Sequence, residues 1–273
     1  MMKTSFSTLA CPDWSLSEVL AAAANYGYDG VELRVISGEL DLWKLPEFHL
    51  SSLTATRAAI EDHGLVVAAI GSGACFHSPD AQERKRNVDS ALRMAEIAAR
   101  LGAPAIRVFG DRIQSGSKRN QTVTWIADSL THLADRLKSD GVQVWLETHG
   151  DFAATADVSE VLAQLHSAEI GIIWDPANAF EQTGEAPFIP SSMSSRIRHL
   201  HLKDLMRGVH GASHYVPMGE GEFPFDTMFA SLAGIGFSGI ASFEWEKHWH
   251  PELASPEIAL PDFIRWWKSR EDT

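Results

Sequence analysis

Two cysteines, Cys11 and Cys75, are all that 273 residues contain. So few exclude a disulfide framework and fit a reducing compartment. Positive charge is also short, with 23 Lys and Arg against 36 Asp and Glu and a formal net charge of −13. A sequence-independent nucleic-acid binder needs a basic footprint and a membrane-surface protein a polybasic patch, and the chain has neither. No apolar run approaches the length of a membrane span. The opening MMKTSFSTLAC has one Lys and only scattered apolar residues, too little for a secretory signal. The expectation is a cytoplasmic protein with a small-molecule partner, and with neither nucleic acid nor membrane. Low-complexity tracts, linkers and composition shifts are missing too, so residues 1–273 are expected to form one domain.

What is present is an alternation. Short β-like runs occur at KTSFSTL (3–9), DGVELRV (29–35), LVVAAIG (65–71), PAIRVFG (104–110), VQVWLET (142–148), IGIIWD (170–175), IRHLHLK (197–203) and SGIASFEW (238–245). Helical patterns lie between them at 15–27, 81–102, 123–141, 157–167 and 256–270, the first opening on Ser15 and Glu18 at capping-box spacing and stopping at Gly27. The stretch GEAPFIPSSMSSR reads as a short, irregular helix. Eight such units predict an α/β protein of the (β/α)8 TIM barrel class. An open doubly wound sheet is the competitor. The even strand spacing and the missing GxGxxG turn after the first run oppose it.

In such barrels reactive groups sit at the C-terminal ends of strands and point inward. Glu147, Asp175, His201 and Glu244 fall late in, or at the end of, four consecutive runs. Side chains alternate along a strand, so Gln143, Trp145, Glu147 and His149 share one face, and His199, His201 and Lys203 share another. Three carboxylates and one imidazole form an oxygen-rich set that suits Mn²⁺, Mg²⁺, Co²⁺ or Zn²⁺. Taken singly, each has an ordinary reading. Asp175 before Pro176 is as good a helix cap as a ligand, and a single His in a strand is more often a satisfied core residue. His199 is read that way. Glu32 and Arg34, both on the second run, are expected to neutralise one another in the mouth.

The runs LETHGD, IIWDPAN, HLHLKD and SFEWE resemble the strand five to eight signatures of the xylose-isomerase-like barrel superfamily, the sugar phosphate isomerase/epimerase family. CPDWSLSEVLAAAANYGYDGVELR, LGAPAIRVFGD and VPMGEGEFPF extend the resemblance over essentially the whole chain. The resemblance implies that Glu147, Asp175, His201 and Glu244 bind one divalent metal, with Mn²⁺ the expected ion. It also implies that Glu147 and Glu244 act as acid and base on opposite faces of the substrate, through a metal-bound enediolate. Asn178 stands where the epimerases have a substrate-binding histidine, and Ala153 where they have a glutamate. Arg207 matches an arginine that contacts substrate oxygens in those enzymes. His149 is a candidate additional base or a hydrogen-bond partner of a ligand. Lys203 is a candidate for holding an anion or for pairing with Asp204 or Glu246, and Arg107 is a second anion candidate. Trp14 is a candidate cover for an apolar sugar face. His77, His210 and His214 are read as bystanders.

Four functions are carried forward. The first is isomerisation or epimerisation of a small sugar, keto-sugar or sugar phosphate. The second is a lyase or dehydratase acting on a keto-inositol or 3-keto-sugar, favoured by His149 and the departures at Asn178 and Ala153. An abasic-site endonuclease ranks low, because one four-residue set and a −13 charge suit it poorly. A metal-less binding barrel is the fourth. Oligomeric state stays open: Trp245, Trp249, Trp266 and Trp267 can furnish an interface or pack the closing helix.

Overall fold

Each β-like run becomes a strand of one closed parallel barrel in the computed structural model, which describes residues 2–167, 169–208 and 213–270. The barrel strands are β1 Lys3–Ser7, β2 Gly30–Leu33, β3 Val66–Cys75, β4 Ala105–Phe109, β5 Gln143–Glu147, β6 Ile170–Trp174 and β7 Ile197–Leu202. A small antiparallel pair, β8 Asp204–Met206 and β9 His214–Val216, follows, and β10 Ile240–Phe243 closes the ring between β7 and β1. Closure rules out the open doubly wound sheet.

Parallel neighbours need a crossover, and helices supply it. They are α1 Leu16–Tyr26, α2 Leu53–Asp62, α3 Ala81–Leu101, α4 Arg119–Leu137, α5 Thr155–Leu162, α6 Pro176–Thr183, α7 Ser191–Ser194, α8 Phe225–Gly234 and α9 Pro256–Ser269. The capping box at Ser15 forms as expected: Glu18 N–H donates to the Ser15 hydroxyl, and Ser15 N–H donates to the Glu18 carboxylate at 2.8 Å. Gly27 then ends α1 at φ +88°, a left-handed position that glycine takes without steric cost.

Three elements depart from expectation. Neither α2 nor α8 was expected. In α8 the spacing of buried Phe225, Met228 and Leu232 carries the helical period, whereas α2 buries only a narrow Leu53, Thr56, Ile60 stripe. The helix after β6 begins at once, at Pro176, because Asp175 caps it, and GEAPFIPSSMSSR contributes only the single turn of α7. The loop after β7 is organised by Asp204. Its carboxylate accepts hydrogen bonds from Leu205, Gly219, Gly221 and Phe223 N–H, which holds the VPMGEGEFPF segment against the barrel.

The main core lies between the strands' outer faces and the helices, built from Val, Ile, Leu and Phe. A smaller cluster of Ala69, Ala105, Trp145 and Ile173 plugs the barrel interior. Trp145 stacks on His199 there at 5.8 Å, so the inward faces are apolar low down and charged near the rim. Among the described residues no helix is long and apolar enough to cross a membrane.

Candidate functional site

Strand register brings the charged residues together. Glu147 of β5 pairs with Ile173, Ile173 with His199, and His201 with Ser242 of β10. Asp175 and Glu244 each lie one residue past their strand's end, and all four side chains are almost wholly buried. His201 Nδ1 lies 3.3 Å from Glu244 Oε1, 3.7 Å from Glu147 Oε1 and 4.0 Å from Asp175 Oδ2. One donor atom from each of the four falls within 4.8 Å of the others.

Asp175 resolves its two readings by using both oxygens. Oδ1 accepts from Ala177 N–H at 3.0 Å and Asn178 N–H at 3.2 Å, capping α6, while Oδ2 faces the cluster.

Glu32 corrects a sequence expectation. It does not pair with Arg34. Its carboxylate reaches across the barrel to His199 Nε2 at 3.0 Å and to His201 Nε2 at 3.0 and 3.2 Å. A carboxylate can only accept, so Nε2 of His201 carries a proton toward Glu32 and Nδ1 faces the three acids. His199 is the interior residue expected, but only half satisfied: Nε2 bonds Glu32 and Nδ1 has no hydrogen-bond partner. Burial works against charge on Glu32, yet His201 and the two imidazole hydrogen bonds outweigh it and hold the carboxyl well below its usual range.

The centre is short of positive charge. Lys203 Nζ sits 2.9 Å from Asp175, 3.0 Å from Glu244 and 2.6 Å from Glu246, and Arg107 Nε sits 3.2 Å from Glu147. Two permanent cations therefore face four carboxylates. Burying such a set without compensation costs several kcal/mol per ion. Burial pushes the Asp175 carboxyl up to about 7, with Lys203 pulling the other way. On His201 burial opposes charge, but Glu244, Glu32 and Glu147 drive the imidazole well above its ordinary value. Protons are thus drawn in where positive charge is missing. Glu147 Oε2, Asp175 Oδ2 and His201 Nδ1 have no hydrogen-bond partner. Three hard carboxylates and one imidazole, with donor atoms unspent and converging, fit a divalent cation.

A family model described as xylose isomerase-like TIM barrel matches residues 20–270. The chain belongs to that family. An inosose dehydratase from Bacillus thuringiensis (strain Al Hakam) is 28% identical over 160 residues, 51% of this chain and 53% of the relative, so the match spans about half of that protein's length. Among solved structures, 3-keto-D-glucoside 4-epimerase YcjR from E. coli superposes with a TM-score of 0.77 at 18% identity, covering 98% of this chain and 100% of that one. The IolI protein, solved with a bound zinc atom, superposes with a TM-score of 0.77 at 19% identity, covering 96% and 95%. At these identities the two structures show the shared fold.

In this xylose isomerase-like barrel a cavity of about 390 Å³ adjoins the cluster, lined among others by Arg34, Arg107, Glu147, His149, Glu244 and Trp249. His149 lies at its mouth, 3.3 Å from Asp111 and over the Phe109 ring at 4.7 Å. The other sequence candidates lie farther out. Asn178 donates its amide to Thr148 C=O at 3.0 Å. Arg207 is exposed and stacks over Phe180 at 5.4 Å. Trp14 packs half-buried against the main core. Lys203 pairs with Glu246, as expected, but not with Asp204, which is occupied by backbone N–H groups. His77 groups with Cys75 and Asp111 at the rim rather than with the four. His214 is exposed on β9, and His210 lies outside the described residues. Sequence reasoning gave no place in the mouth to Arg112 or Trp249 and did not link Glu32 to the histidines. For Glu32 the alternation of β2 already marked an inward acid, but nothing local named its partner.

Proposed function

We propose that this chain is a metal-dependent isomerase or epimerase of a small sugar, keto-sugar or sugar phosphate. The observation that carries the reading is the convergence of Glu147, Asp175, His201 and Glu244, the first three each with one atom that has no hydrogen-bond partner. These four residues would hold one divalent ion, Mn²⁺ by preference for a hard oxygen set with one imidazole. When bound, such an ion polarises a carbonyl and so acidifies the neighbouring C–H.

The chain's own groups do the rest. Glu147 and Glu244 both border the cavity, so one carboxylate removes the proton from carbon and the other returns a proton. Arg107 helps to keep Glu147 ionised: burial raises that carboxyl, and the guanidinium together with His201 outweighs it. Lys203 anchors Glu244 by a 3.0 Å hydrogen bond and fixes the angle from which it works. Trp249, half exposed at the cavity, is suited to cover an apolar sugar face. His149 and Arg107 reach the substrate directly. Asn178 acts through the backbone of Thr148, while Arg207 and Trp14 act from the rim.

A second reading, a dehydratase, is favoured by one arrangement. His149 stands at the cavity with Asp111 against its ring, suited to pass a proton to a departing hydroxyl. The partial likeness to inosose dehydratase agrees with it.

The test is incubation of Mn²⁺-loaded protein in D₂O with keto-sugars, inososes and their phosphates, followed by NMR and mass spectrometry. Deuterium uptake without loss of water supports isomerisation, and loss of water supports the dehydratase. Protein that binds neither Mn²⁺ nor Co²⁺ and exchanges no carbon-bound hydrogen would sink both.

A further inference from the structure

We propose that the cavity contains a carboxylate subsite formed by Arg34 and Arg107, so that the substrate is a sugar-sized keto acid rather than a neutral sugar. The inference rests on the reading of the four-residue cluster as the reacting centre.

Arg107 is 1% exposed, and its Nε and Nη1 have no hydrogen-bond partner. Its nearest carboxylate, Glu147, stands 3.2 Å from Nε without hydrogen-bond geometry, and the Phe109 ring covers the guanidinium at 4.0 Å. Arg34 is 7% exposed and, among the described residues, its side chain forms neither a hydrogen bond nor an ion pair. A buried guanidinium with nothing to donate to is costly, and two side by side repel each other. Burial and the nearby Arg107 bring Arg34 down to about 10 against the pull of Asp41 and Glu147, still far above neutrality, so Arg34 stays charged.

The pair is built into the fold. Both side chains cross β3 at Gly71, where a Cβ would come within 2.7 Å of Arg34 Cδ and 2.9 Å of Arg107 Nη2. Only glycine leaves that passage open. Both arginines line the 390 Å³ cavity. The other acids of the cavity are engaged: Glu244 and Glu246 by Lys203, and Asp111 by His149 and Arg112. An anion brought by the substrate is therefore the missing partner.

Position and shape favour a carboxylate. Arg107 adjoins Glu147, so an anion on Arg107 lies next to the group assigned to proton transfer. That places the charge close to the reacting carbon. Planar guanidinium forks match a planar carboxylate. Among the described residues, the cavity lining includes no run of glycine N–H groups of the kind that cradles phosphate.

The test compares ligands of one skeleton by calorimetry on Mn²⁺-loaded and metal-free protein. The probes are 2-keto-D-gluconate, with a carboxylate at C1, D-fructose, with a hydroxymethyl there, and D-fructose 1-phosphate. The keto acid is expected to bind roughly 10–100-fold tighter than fructose, as charge-assisted bonds to two forks would give. Arg34→Met should remove most of that difference while leaving the affinity for fructose unchanged, and Arg107→Met should weaken the keto acid far more than fructose. Equal affinity for keto acid and fructose on the unaltered protein overturns the subsite, and that comparison needs no variant to fold. Tighter binding of fructose 1-phosphate than of the keto acid overturns the choice of carboxylate. Binding preference and deuterium exchange are read separately. A keto acid held by the arginines without exchange leaves the subsite standing and removes the catalytic reading. Exchange of neutral keto-sugars with no carboxylate preference does the opposite.

Discussion

The two walls of the cavity handle buried charge in opposite ways. On the wall formed by β5, β6, β7 and β10, four carboxylates share Lys203, His201 and Arg107, and what remains unspent is acceptor capacity aimed at one point. On the side of β2, β3 and β4, the Arg34 and Arg107 guanidiniums lie together at Gly71, and Arg107 keeps Nε and Nη1 without a hydrogen-bond partner. Neither wall closes its own account. An uncompensated buried ion costs more than most single interactions contribute, so a barrel that keeps both kinds is arranged for ligands that supply the missing charge. On the proposed reading the acid wall takes a cation and the arginine wall an anion. A substrate seated between them would be clamped across its reacting carbon.

The largest effect is expected on the acid wall. Glu244→Gln removes one proton-transfer group and should lower the rate of deuterium exchange by roughly 10²–10⁴-fold, read by NMR in D₂O on variant loaded with excess Mn²⁺. A variant exchanging at the parent rate would take Glu244 out of the chemistry. Glu32→Gln probes the support behind His201. It keeps the shape but weakens the acceptor that fixes the imidazole, and Mn²⁺ affinity should fall roughly 10–100-fold. The free-Mn²⁺ electron paramagnetic resonance signal measures this, and an unchanged affinity would show that the Glu32–His201 contact only fills the barrel.

The smallest effect tests which influence dominates beside the arginine wall. Burial pushes the Cys75 thiol up to about 11, with Asp111 adding to the rise, while Arg107, Arg112 and Arg34 pull it down. A raised value means the thiol stays protonated at pH 8, with about one thiolate in a thousand. Iodoacetamide labelling should therefore be slow at pH 8 and quicken as pH climbs toward 11. Rapid labelling at pH 8 would mean that the guanidinium field outweighs burial there.

Much of this was legible beforehand. The eight strands emerge from apolar runs, and the four clustered residues from period-two alternation combined with the rule that barrels act at their C-terminal rim. His199 and His201 were separated by depth alone. The misses are of one kind. Glu32 was matched with Arg34 because they are neighbours in the chain, yet its partners lie 167 and 169 residues away. The sequence puts the helix after β6 too late because Asp175 both caps α6 and turns its other oxygen toward the cluster. Trp249 was weighed only as an interface or packing residue, and it stands at the cavity.

By itself, then, the amino-acid order determined which side chains point inward and at what height. Alternation along a strand is a local property of extended backbone, and it needs no knowledge of the rest of the chain. Only closure of the barrel decided who meets whom. It set β2 across from β7, so that one carboxylate orients two imidazoles, and it ran two arginines past a single glycine. Partnership of that kind depends on strand order and register, which are fixed by packing between residues far apart in sequence.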